Sequence, residues 1–105
     1  MQVKVFRQKH ISDERCEQIK KDLKQLLGGR VRVRRYSARY ACGQIGINPV
    51  KRNGDKKLSP EDVAIIRDYM VKENLQIPQM HLLLSDVGTA AFWQGINYIY
   101  EVDAE

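Results

Sequence analysis

At 105 residues, with 43% hydrophobic and 30% charged residues, the chain has the make-up of one folded domain over residues 1–105 rather than a disordered segment. Such a length buries roughly 65% of the surface its unfolded form exposes, enough for one core without metals or disulfides. The net charge is +5, no apolar run reaches the length of a membrane span, and nothing at the start has the apolar core of a signal peptide.

Gln2-Val3-Lys4-Val5-Phe6-Arg7 alternates as a short strand does. A helix then begins at a Ser12 cap, with Asp13 and Glu14 where the helix dipole favours anions. Ile11 and Cys16 stand at hydrophobic-staple positions. Cys16, Ile19, Leu23, Leu26 and Leu27 form the apolar stripe, and Gly28-Gly29 supplies the stop. The period next switches to two. Val31 and Val33 point one way, Arg30, Arg32 and Arg34 the other, and Arg35 breaks the alternation.

A further strand is expected over residues 39–47 with Ile45 and Ile47 inward, and the 48–55 segment has loop chemistry. Ser59-Pro60-Glu61-Asp62 opens a second helix, with Leu58 and Val63 as staple and Val63, Ile66 and Met70 as stripe. Asn74 and Pro78 end it. His81-Leu82-Leu83-Leu84 reads as a buried strand, and Phe92 to Val102 as the last one, with Ile96, Tyr98, Tyr100 and Val102 on one face. The order β-α-β-β-α-β-β predicts an α+β fold: a mostly antiparallel sheet with two helices packed on one face.

Charge is unevenly spread. Residues 1–57 hold 16 Lys/Arg against 5 Asp/Glu; residues 58–105 hold 2 against 8. The halves either form separate charged faces or neutralise each other by packing together. Within the basic half, arginines on a strand face repel one another unless an anion joins them, and arginine grips phosphate or carboxylate with two parallel bonds. Tyr36 and Tyr40 add rings beside Arg34, Arg35 and Arg39, the mixture used by single-strand nucleic-acid sites. The candidate anion-binding set is therefore Arg30, Arg32, Arg34, Arg35, Tyr36, Arg39, Tyr40, Lys51, Arg52, Lys56 and Lys57. The bland reading is a solvated sheet face with arginine stems over apolar surface.

No catalytic constellation emerges, so the chain is read as a non-enzymatic binder. Cys42 and His81 lack an orienting third group. Cys16, Cys42, His10 and His81 lack the paired short-loop spacing of a zinc site, so no metal or cofactor is expected. The unpaired cysteine spacing suits a reduced, cytoplasmic protein. Gly43-Gln44-Ile45-Gly46 matches no phosphate-binding fingerprint, and glycines there mark a bulge or close backbone approach. The aromatic group Trp93, Tyr98 and Tyr100 is assigned to the core, with a protein-binding surface as the alternative.

The run from Cys16 to Asn48 carries a resemblance. Ile19-Lys20-Lys21-Asp22-Leu23-Lys24, then Val31-Arg32-Val33-Arg34, then Tyr40-Ala41-Cys42-Gly43 and Ile45-Gly46-Ile47 look like the small α+β domains attached to large polyvalent proteins of phages and conjugative elements. That resemblance implies a mobile-element origin. It makes an anti-CRISPR type of inhibitor an expectation, one that binds a host defence ribonucleoprotein or nuclease such as a CRISPR effector. The alternative is a small module that contacts DNA or RNA phosphates directly with the same arginine strand. Neither reading calls for a membrane.

Overall fold

Both helix-start signals operate. The computed structural model describes residues 7–36, 43–50, 57–85 and 88–103. Helix α1 (Asp13–Leu27) begins where the Ser12 hydroxyl accepts from the Arg15 amide. Helix α2 (Pro60–Lys72) begins where the Ser59 hydroxyl accepts from the Asp62 amide. The staple residues Ile11 and Cys16, and Leu58 and Val63, are all buried. At the far end of α1, Gly28 has φ 62°, a conformation that a Cβ would strain. Asn74 adopts φ 55° just past α2, a role asparagine tolerates better than most residues.

Among the described residues five strands form one antiparallel sheet. They are β1 (Arg7–Lys9), β2 (Val31–Arg35), β3 (Ile45–Pro49), β4 (Leu75–Gln76) and β5 (Ile96–Asp103). Their order is β1-β5-β3-β2, with β4 paired to β5. The expected α+β architecture is therefore present, with differences of detail. His81–Leu84 is not a strand: residues Met80–Leu83 form a short helix, α3, in which only Leu83 is buried. A four-residue apolar run carries no period that separates helix from strand, and here the Leu83 and Leu84 amides close one helical turn onto the Gln79 and Met80 carbonyls. Phe92 ends a 3₁₀ turn before β5 rather than beginning that strand. Asn48 and Pro49, expected in a loop, extend β3. The expected first strand falls mostly on residues outside those described, as do residues 39–42 of the expected third.

The stripes of α1 and α2 pack on one side of the sheet. Ile19, Leu23, Leu27, Ile66 and Met70 meet Val33, Ile45, Ile47, Ile96 and Ile99 in one buried cluster. Ion pairs then join the basic half to the acidic half. Arg15 Nε donates to Glu101 Oε1 at 2.7 Å, and its Nη2 to the Glu73 carbonyl at 3.3 Å. The charged halves thus interlock here rather than standing wholly apart. Between the helices, the Tyr69 hydroxyl donates to Asp22 Oδ2 at 2.6 Å. No helix among the described residues is long and apolar enough to cross a membrane.

Candidate functional site

The arginine strand divides three ways. Arg30 lies in a 3₁₀ turn just before β2, and its Nε and Nη2 donate to the two Asp62 carboxylate oxygens at 3.2 and 3.0 Å. Arg35 turns toward the start of α1: its Nε donates to the Ile11 carbonyl at 3.0 Å, and its Nη1 lies 3.5 Å from Asp13. These two residues brace the fold. The expected trio of Arg30, Arg32 and Arg34 on one free face is thereby corrected, because Asp62, largely buried at the start of α2, draws Arg30 to itself. Arg32 and Arg34 remain exposed, and among the described residues no carboxylate pairs with either.

Arg32, Arg34 and Tyr36 line a depression of about 400 Å³ with Asn48, Gln94 and Asn97, on the sheet face away from the helices. Tyr36 anchors it. Its hydroxyl donates to Asn97 Oδ1 at 2.6 Å, and its ring stacks on Tyr98 with centroids 5.6 Å apart and planes 25° from parallel. Burial, reinforced by the Tyr98 phenol, pushes the Tyr36 hydroxyl above its ordinary pKa, against the pull of Arg34. The hydroxyl therefore stays a proton donor at neutral pH. Gly46 makes room for this arrangement: a Cβ there would lie 2.6 Å from both the Tyr36 hydroxyl and Asn97 Oδ1. The close approach expected of these glycines is realised at this point.

Tyr98 reaches the open face through a bulge. Ile45 pairs with Ile99 but Ile47 with Ile96, so β5 fits one extra residue opposite β3. Tyr98 absorbs it with φ 63°, unusual for a bulky residue, and is 55% exposed. The expected alternation that put Tyr98 in the core fails for this reason. Trp93 is also no core residue: it is partly exposed, and Lys57 Nζ sits 5.6 Å above its ring. Lys57 is thus beside Trp93 and not among the residues lining the depression. Arg39, Tyr40, Lys51, Arg52 and Lys56, the rest of the candidate set, lie outside the described residues.

The sequence reading missed Asn48, Gln94, Asn97 and Tyr98. Only Tyr98 carried a usable signal, as one of the aromatic group for which a binding surface was the alternative. Burial raises the pKa of the Cys16 thiol, the opposite of nucleophile activation, and His81 is exposed on α3. Cys42 lies outside the described residues. Among the described residues no three His, Cys, Asp or Glu side chains cluster as a metal site would require. A scan of protein-family models and searches of curated proteins and of solved structures find no match to this chain.

Proposed function

We propose that this chain is a non-enzymatic binding module whose open sheet face takes single-stranded nucleic acid. The observation that carries the reading is that Arg32 and Arg34, without carboxylate partners among the described residues, share one depression with Tyr36, whose ring is stacked on that of the exposed Tyr98. Guanidinium groups grip phosphates, the outer face of the Tyr98 ring accepts a base, and Asn48, Gln94 and Asn97 offer amides to base edges. Titration of labelled single-stranded DNA and RNA at two salt concentrations tests it. Binding that weakens steeply with salt and prefers single strands to duplex is expected; no binding at low salt overturns it.

A second reading places the same face against the exposed nucleic acid of a host defence complex, in an inhibitor of anti-CRISPR type. The outer edge of β2, beside Arg32 and Arg34 and without a paired strand among the described residues, favours it, because that edge gives a protein partner a place to pair. Co-expression with a CRISPR effector would then lower interference. Unchanged interference with no complex formed removes this reading and leaves the first standing.

A further inference from the structure

The outer edge of β2 has no strand paired to it among the described residues. In the β2–β3 ladder the Val50 amide donates to the Arg30 carbonyl, and the Tyr36 amide to the Gln44 carbonyl, each at 2.9 Å. Residues 30 and 36 are thus hydrogen-bonded positions, and in an antiparallel ladder such positions alternate. Residues 32 and 34 complete the set. The amides and carbonyls of Val31, Val33 and Arg35 therefore point away from β3. No strand pairs with them among the described residues.

The same edge borders a groove of about 360 Å³ between β2 and α1. Its floor is Leu23, Val31 and Val33; its rim is Lys20, Lys24 and Arg32. Lys20 is already 3.2 Å from Glu17, which leaves Lys24 and Arg32 as the leading charges. Exposed strand edges commonly carry charges that discourage self-association. Pairing β2 with β2 of a second copy would set Arg32 of each strand near Arg34 of the other, so a second copy is disfavoured. A strand of opposite charge gains from the same residues.

We infer that this edge binds an extended acidic peptide segment of a partner protein as an added antiparallel strand. Its apolar residues alternate into the groove over Leu23, Val31 and Val33. Its acidic residues lie on the other side, beside Arg32 and Arg34. The peptide amides that face β2 are those of the apolar residues, because directly opposed residues of an antiparallel pair share a face. This site goes beyond the nucleic-acid reading and does not depend on it.

The test uses the whole chain and a fluorescein-labelled octapeptide of alternating glutamate and valine. Polarisation should show saturable binding at low salt that is weakened about tenfold or more by N-methylation of the valine amides. N-methylation of the glutamate amides should leave binding nearly unchanged. Replacing glutamate by lysine in the peptide should abolish it, and Lys24→Glu in the protein should weaken it. Lys24 is exposed and outside the open-face depression, so Lys24→Glu should leave single-strand binding far less affected than Arg34→Glu does. Undiminished binding of the valine-methylated peptide overturns the inference, since charge alone would then explain it. So does failure of the unmodified peptide to bind, or sedimentation showing a dimer that the peptide does not dissociate.

Discussion

Arg30 and Asp62 form a two-pronged ion pair that ties the entrance of β2 to the first turn of α2. The Asp62 side chain is only 12% exposed while that of Arg30 is 55% exposed, so the carboxylate depends more on the bond than the guanidinium does. Arg30→Ala should cost about 1 kcal/mol of stability, the discounted value of a half-exposed charge-assisted pair. It should leave single-strand binding within about twofold. Denaturant unfolding and a binding titration on the same variant check both halves. A large loss of affinity with unchanged stability would put Arg30 back among the contact residues.

Arg32 and Arg34 should behave in the opposite way. The double change Arg32→Glu with Arg34→Glu should abolish binding and leave the circular dichroism spectrum and melting temperature nearly unchanged, because both side chains are exposed and neither pairs with a carboxylate among the described residues. Each single change to alanine should flatten the dependence of log affinity on log salt by about 0.7, one lost single-strand phosphate contact. Equal slopes for wild type and both single variants would mean that neither guanidinium meets a phosphate.

Tyr98 couples strain to the platform. Its left-handed backbone costs about 1–2 kcal/mol for a residue with a side chain. Tyr98→Gly relieves that cost, and loses a ring stack of about 0.5–1.5 kcal/mol together with some chain entropy. Stability should therefore stay within about 1 kcal/mol of wild type. Affinity should fall by about 1–3 kcal/mol, the loss of one base-stacking surface. Tyr98→Ala keeps the strain without the ring and should be the less stable of the two in thermal melts.

A pH dependence follows from Tyr69 and Asp22. Burial, and then the hydrogen bond to Asp22, raise the Tyr69 pKa above its ordinary value near 10. The folded state thus holds the phenolic proton more tightly than the unfolded chain does. The resulting stability is full below about pH 10 and is lost as pH climbs beyond it. Asp22 is shifted the other way, its pKa lowered first by the Tyr69 hydroxyl and then by Gln18. Its contribution is present above the ordinary carboxylate pKa of 3.8 and fades as pH falls through the lowered folded value. Tyr69→Phe should shallow both limbs of a stability–pH curve, measured as urea midpoints. A wild-type alkaline limb that survives in Tyr69→Phe would assign that limb to other groups.

The helices were legible because their signals are local. Ser12, Ser59 and Pro60 act within one turn of themselves, and the stripes of α1 and α2 bury as their spacing implies except at Leu26, which stands exposed at the edge of the α1 stripe. The alternation of Val31 and Val33 likewise placed β2. The fates of Arg30 and Arg35 were not legible, because Asp62 lies 32 residues from Arg30 and the Ile11 carbonyl 24 from Arg35. The platform was hidden for a similar reason: it joins Tyr36 to a residue near the far end of the chain, and only a bulge brings that residue outward. Asn48 and Pro49 read as a turn by composition, yet Pro49 opposes Val31 at a position that donates no bond to β2.

The strand that comes last in chain order is also the one that β1, β3 and β4 all pair with. The register Arg7↔Asp103 joins residues from nearly opposite ends of the sequence. During synthesis the earlier strands must wait, with the β2–β3 hairpin as the one partnership among the described strands, until β5 has left the ribosome. Closing so long a loop is slow in entropic terms, so the sheet should assemble late and cooperatively. Before then both α1 and α2 can form, but neither has a completed surface on which to bury its stripe. A nascent chain halted before residue 96 is accordingly a substrate for chaperones, not a partly working binder.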